Sequence, residues 1–364
     1  MEPNLRHYLL NWLNDRGSNA LEELAEYDIR VGSDERYPNL YNLKYGSVMA
    51  DKSNPLVCAC RGSVVERNDQ GSYRLVAYAF DRFFNVGEGN CHNLDWDNTR
   101  VYEKYDGSLI KLLHYQGDWI VSTSGTVAAA AEVGTTGRSF AELFWFVFDE
   151  VGYSREVLNP DLCYIFELCH RDNRIVVDYA KPQLPLLAVR DRTQDFEELD
   201  LEEFGLKYGY ETAQSYGFGD LSAVESAVNG RGADHEGFIL FDGRGRVKVK
   251  SDVYCQLHKV RGNGEPDFSE LFLNDDLEEF LLHFPEYHER FDFYIASIET
   301  AEHWVNATVA AYKDLNQKDF AQAVLAESKE LSGACFALRS GKYVNFGQWL
   351  SSLRPQQLDK LLGI

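Results

Sequence analysis

Helical spacing of apolar positions opens this chain, over residues 5–13 and 20–27, and closes it, while strand-like alternation fills the middle. From Leu56 onward alternation dominates, and residues 73–80 read as a strand. Three hairpins are predicted where alternating runs flank turn residues. Residues 108–114 and 119–124 flank Gln116-Gly117-Asp118, residues 163–169 and 174–179 flank Arg171-Asp172-Asn173, and residues 238–241 and 246–250 flank Asp242-Gly243-Arg244-Gly245. Between the first two, residues 139–151 have the pattern of a buried amphipathic helix. After the breaker cluster Gly262-Asn263-Gly264-Glu265-Pro266 the spacing is helical, most clearly over residues 276–283, 286–314, 318–331 and 355–362. Pro355 suits the first turn of the last helix. The expected fold class is α+β. A domain of antiparallel sheets with flanking helices covers residues 1–258, and an all-helical domain covers 259–364.

The chain has 364 residues, 45% hydrophobic and 26% charged, which is ordinary for a soluble globular protein. No apolar run is long enough to span a bilayer, and Met1-Glu2-Pro3-Asn4-Leu5-Arg6 lacks a basic-then-apolar leader pattern. A cytoplasmic location and no membrane partner are expected. Seven cysteines, an odd number, read as reduced thiols. Cys58-x-Cys60, Cys91-His92 and Cys169-His170 lack the paired spacing of a zinc site.

The net charge of −22 argues against nonspecific coating of nucleic acid. Between Glu265 and Glu302 twelve Asp and Glu face a single Arg. Any contact with phosphate must therefore come from a focused group of cations, since charges beyond roughly 10 Å are screened at ordinary salt.

Such a group can be assembled around Lys104, in Glu103-Lys104-Tyr105-Asp106-Gly107-Ser108. A lysine amine can attack a phosphorus atom only when deprotonated, and nearby cations or a metal favour that form. Asp106 and Gly107 suit a tight turn beside it. On its own the motif equally describes a charged hairpin edge. Its companions are a glutamate before a strand, Glu236, and a strand Val247-Lys248-Val249-Lys250 whose two lysines share one face. Glu167 sits in a mostly apolar strand, where a carboxylate is costly to bury without a cation, metal or hydroxyl. Arg61-Gly62 and Arg82-Phe83-Phe84-Asn85 add cations and aromatics upstream.

In this order the segments resemble the covalent lysine nucleotidyltransferases, and in detail the phage tRNA-repair RNA ligase 1 family. The resemblance runs over about residues 40–258 and rests on six ordered blocks. They are Cys60-Arg61-Gly62, Arg82 to Asn85, Lys104-x-Asp106-Gly107-Ser108, Phe166-Glu167 with Asn173-Arg174-Ile175-Val176, Glu236-Gly237-Phe238, and Lys248-Val249-Lys250-Ser251-Asp252-x-Tyr254-x-x-Leu257-His258.

The resemblance implies an ATP-dependent RNA ligase that seals 5′-phosphate and 3′-hydroxyl ends through lysyl-AMP and RNA-adenylate. It makes Lys104 the nucleophile, with Lys248 and Lys250 gripping the α-phosphate as catalytic and cofactor-binding groups. Glu167 would hold the ribose hydroxyls, Arg61 a phosphate, and Glu236 a divalent metal, Mg2+ or Mn2+. Arg82, Phe84, Asp106, Gly107 and Tyr254 would lie near the nucleotide. RNA ends, such as those of a nicked tRNA, are the implied substrate, and a monomer is expected.

One element departs from the family pattern: Ser122-Thr123-Ser124-Gly125-Thr126 lacks the lysine usually found there, and Arg138 is the candidate substitute. Two other readings are a DNA ligase or capping-type enzyme, which would continue into a β-barrel, and a noncatalytic RNA-end or nucleotide binder.

Overall fold

Ser139 shows how local signals set this fold. Its side chain accepts from Glu142 N, and the Glu142 carboxylate accepts from Ser139 N, a reciprocal cap that starts the helix at Phe140. The computed structural model describes residues 4–46, 50–133, 136–232, 235–252, 254–255, 267–283 and 287–363. The cluster at 262–266, Leu257, His258 and the expected domain boundary at 258/259 lie outside them.

Among the described residues the strands are β1 (Ile29–Ser33), β2 (Leu40–Tyr45), β3 (Arg61–Arg67), β4 (Tyr73–Ala77), β5 (Phe84–Asn85), β6 (Arg100–Lys104), β7 (Ser108–Tyr115), β8 (Asp118–Thr123), β9 (Leu162–Leu168), β10 (Leu186–Asp191), β11 (Glu197–Glu198), β12 (Ser215–Tyr216), β13 (Gly237–Phe241) and β14 (Arg246–Lys250). The helices are α1 (Leu5–Arg16), α2 (Ala20–Glu23), α3 (Pro55–Ala59), α4 (Phe140–Glu150), α5 (Leu201–Tyr208), α6 (Leu221–Asn229), α7 (Phe268–Asn274), α8 (Leu277–His283), α9 (His288–Ala311), α10 (Gln317–Glu327), α11 (Ser332–Arg339), α12 (Phe346–Leu350) and α13 (Pro355–Leu362).

Among the described residues three sheets form, in the orders β1-β2-β3-β4, β11-β10-β9-β7-β8 and β12-β6-β13-β14-β5. In the second and third sheets, and in β2–β3–β4 of the first, pairing is antiparallel apart from the short parallel contact of β14 with β5. The fold is therefore α+β, with antiparallel sheets and a helical C-terminal region. The first and third expected hairpins form as β7–β8 and β13–β14.

The second expected hairpin does not form. β9 pairs with β10 and β7, not with residues 174–179. The reason lies far along the chain: Val176 N and Val177 N donate to Asp106 Oδ2 at 2.8 and 2.7 Å. Tyr179 OH accepts from Asp106 N at 2.8 Å. The Asp106 turn thus takes two neighbouring backbone donors of the segment and diverts it from a ladder with β9.

The second sheet packs on α4 and α5 through Phe144, Phe148, Tyr164, Phe166 and Phe204. Each such ring contributes roughly 1.5–3 kcal/mol on burial. One face of the third sheet, with Val101, Phe238, Leu240, Val247 and Val249, packs on Val224 and Val228 of α6. Its opposite face meets the second-sheet core through Tyr102, Ile239 and Phe241. Alternation then puts Lys104, Lys248 and Lys250 on that opposite face.

The chain divides into two compact units that are not contiguous in sequence. One holds Met1–Glu23, Val31–Tyr45 and Asp51–His258; the other holds Leu24–Arg30, Gly46–Ala50 and Lys259–Ile364. In the second unit α7 to α13 share a core that includes Phe268, Tyr294, Phe320, Phe346 and Trp349. No helix among the described residues is long and apolar enough to cross a membrane.

Candidate active site

Gly237 is the hinge pin of the site. It lies opposite Lys104 on β6 and opposite Lys250 on β14, so the two lysines flank one backbone position. A Cβ on Gly237 would stand 2.1 Å from Val249 O, so only glycine permits this spacing. Immediately before it, Glu236 is buried, and its carbonyl accepts from Ser251 N at 2.9 Å. Its carboxylate receives both lysines: Lys104 Nζ at 2.5 Å and Lys250 Nζ at 3.3 Å from the same Oε1. Lys248 lies two residues back on the same face of β14, half-buried and opposite Ile239.

Glu167 enters from β9 in the second sheet, paired with Leu109. Burial pushes its carboxyl up to about 8; Lys104 and Arg61 draw it down, while Glu236 and Asp106 add repulsion. These groups thus act on one another across three sheets. At neutral pH Glu167 is largely a neutral acid, able to donate one hydrogen bond and accept others.

Arg61 arrives from the first sheet. The β2–β3 register shifts between Leu43 and Lys44, opposite Ser63 and Arg61, and Gly62 takes φ +83°. This bulge re-aims the side chain. The guanidinium sits 4.6 Å from the Phe83 ring centroid. Among the described residues its Nη1 is buried with no hydrogen-bond partner. A buried, unsatisfied guanidinium nitrogen is costly and is the expected signature of an anion contact.

Several other candidates are engaged by protein groups in the site. Asp106 is buried, and both its oxygens are occupied: Oδ1 by Tyr254 OH at 2.9 Å, Oδ2 by Val176 N and Val177 N. Tyr254 is itself buried, with Lys250 Nζ 5.4 Å from its ring centroid. A Cβ on Gly107 would stand 2.5 Å from Leu168 O, so this glycine lets the Lys104 turn press on the end of β9. Arg82 donates to Tyr45 OH at 2.7 Å and lies 5.0 Å from the centroid of Phe84, which is buried. Arg138 is exposed, 4.6 Å from the Phe146 ring centroid.

Sequence patterns missed the supports behind the site. On the α6 side of the third sheet, Glu103 accepts from Arg231 at 2.9 Å and Tyr216 OH at 2.7 Å, and meets His235 Nδ1 at 2.6 Å. Burial alone would raise Glu103, but those hydrogen bonds outweigh it and hold its carboxyl below the usual range. This cluster ties β6 to the segment before β13, one residue from Lys104 and one from Glu236. Ser108 Oγ and Asn173 Oδ1, 3.0 Å apart, tie the Lys104 turn to the 171–179 segment.

A family model described as RNA ligase matches residues 59–254, more than half of the chain. The protein belongs to the RNA ligase family. A protein of Autographa californica nuclear polyhedrosis virus, named as a bifunctional polynucleotide kinase/RNA ligase, is 30% identical over 97% of this chain and 51% of its own length. An RNA ligase of Rhodothermus phage RM378 is 27% identical over 76% of each chain. This RNA ligase family member thus spans about half the length of the baculovirus relative. Among solved structures, an archaeal ATP-dependent RNA ligase aligns with TM-score 0.43 and 13% identity, over 90% of this chain and 81% of that one.

Divalent metal is a question for the donor set. Among the described residues no group of three or more His, Cys, Asp and Glu could hold an ion alone. Mg2+ is commonly held by one or two carboxylates with phosphate oxygens completing the shell. Glu236, with Glu167 close enough to repel it, fits that mode.

Proposed function

We propose that the chain is an ATP-dependent RNA ligase that works through a covalent lysyl-AMP on Lys104. The observation that carries the reading is the placement of Lys104 Nζ: against Glu236, beside Lys250, and within electrostatic reach of Glu167. The neutral amine would attack the α-phosphorus of ATP, forming an N–P bond as the P–O bond to pyrophosphate breaks and the amine loses its proton. AMP would then pass to an RNA 5′-phosphate. A 3′-hydroxyl would attack that phosphorus and expel AMP.

In this reading Lys248 and Lys250 stabilise charge developing on the α-phosphate. Arg61 offers its unpaired nitrogen to a phosphate. Glu167 faces the ribose hydroxyls as donor and acceptor. Arg82 and Phe84 flank the nucleotide, while Asp106, Gly107 and Tyr254 hold the Lys104 turn in place. Glu236, with phosphate oxygens, would hold Mg2+ or Mn2+, which would supply charge neutralisation on the triphosphate.

RNA ends are the proposed partner, including the broken loop of a tRNA, because a few cations on a body of net charge −22 suit an end better than a long duplex. Residues 1–258 are proposed as the adenylyltransferase domain and the helices after them as the part that reads substrate shape. The chain is proposed to act as a monomer in the cytoplasm.

The test is sealing of a 5′-phosphorylated, 3′-hydroxyl RNA in nicked tRNA, linear single-strand and nicked-duplex form, with ATP or GTP. ATP-dependent sealing that prefers a loop or single strand supports the reading. GTP dependence points to a capping-type enzyme, and tight RNA binding with neither activity points to a binding protein.

A further inference from the structure

Lys111 has no place in the reaction above, yet it is a lysine with no exposed surface, on β7 between Ile110 and Leu112. Its amine donates to Thr123 O at 2.6 Å, across the β7–β8 hairpin. Asn42 Nδ2 reaches the same carbonyl at 3.4 Å and Gly62 O at 3.4 Å. The turn that follows is closed on itself: Ser122 Oγ donates to Thr126 O at 2.8 Å, and the Thr123 and Thr126 hydroxyls are 2.9 Å apart. On the other side of the turn Gly62 touches Ser124 so closely that a Cβ would stand 2.6 Å from Ser124 Cα. Gly62 is the bulge residue that aims Arg61.

We propose that Lys111 is a positioning residue for Arg61. Its amine locks the 123–126 turn against Gly62 and thereby fixes the guanidinium whose Nη1 is unpaired among the described residues. A methionine of similar length would fill the same space without desolvating a charge. A lysine with no exposed surface is held where packing alone does not ask for one. Burial pushes the amine down to about 7, with Lys44 adding repulsion and Cys163 opposing it. Burying this amine carries a cost that one carbonyl bond offsets only in part.

The inference rests on the ligase reading only in taking the ligand of Arg61 to be a phosphate, of ATP or of an RNA 5′ end. Equilibrium binding of ATP and of a 5′-phosphorylated RNA oligonucleotide, with a 5′-hydroxyl oligonucleotide as control, separates these sources and needs no chemistry. Arg61→Ala should weaken one phosphate ligand by about tenfold. Lys111→Met should weaken the same ligand by a similar factor while its thermal midpoint at pH 6 stays equal or rises. In the double variant the second substitution should add nothing. If Lys111→Met does not fold, Asn42→Ala tests the same clamp and should act in the same direction. Unchanged affinity in Lys111→Met, or additive losses in the double variant, would overturn the inference. Failure of wild type to form lysyl-AMP while these affinities follow the pattern would overturn the ligase reading alone. Failure of wild type to bind either phosphate ligand would overturn both.

Discussion

Glu236 Oε1 is shared by Lys104 Nζ at 2.5 Å and Lys250 Nζ at 3.3 Å, so one buried carboxylate holds both the proposed nucleophile and a proposed phosphate ligand. In Glu236→Gln the metal concentration giving half-maximal adduct formation should rise by tenfold or more, on the order of metal-site substitutions generally. An unchanged metal midpoint would remove Glu236 from metal binding.

Lys250→Ala leaves Glu236 with Lys104 as partner, so the fold should survive, with a near-wild-type thermal midpoint. The rate of lysyl-AMP formation should fall about 10²- to 10³-fold, the scale for losing one preorganised charge-stabilising donor. Full activity would refute the phosphate-grip assignment.

Asp106 and Tyr254 give a different signature. Asp106→Asn turns an amide toward Val176 N or toward Tyr254 OH and leaves buried donors unmet, at roughly 1–3 kcal/mol. The midpoint should drop by roughly 2–4 °C for each of those kcal/mol. Tyr254→Phe loses one hydrogen bond and should cost about 1 kcal/mol. If Tyr254→Phe abolished ATP binding with no change in midpoint, Tyr254 would be a nucleotide ligand and not a support.

Glu167 sets a pH dependence whose sign can be worked out. Its folded carboxyl titrates at about 8, against an ordinary 4.5. Between those values the folded protein keeps a proton that the unfolded chain has lost. The contribution of Glu167 to stability is therefore fully present below about 4.5 and is lost as pH rises through 8. Glu167→Gln removes that slope, so its midpoint should gain on wild type from about pH 5 to about pH 9. A constant difference would mean that Glu167 titrates normally.

Elements with a local cause were legible in the sequence. The β7–β8 and β13–β14 hairpins follow from alternation around glycine turns, and α4 from its amphipathic spacing. Residues 174–179 alternate like a strand, but their competitor, Asp106, is 70 residues away from Val176 in sequence. Alternation marked Lys248 and Lys250 as sharing one face, and the register confirms this, but not that Lys250 would share a carboxylate with Lys104. Lys111 is buried because both faces of β7 are covered, Ile110 and Leu112 on one and Lys111 and Leu113 on the other.

The most direct test is incubation with α-labelled ATP and a divalent metal, followed by denaturation and mapping of the label. The account predicts an acid-labile AMP adduct on Lys104 that is absent in Lys104→Ala, while that variant keeps its fold. No adduct on folded, ATP-binding wild-type protein, or an adduct that persists in Lys104→Ala, would contradict it.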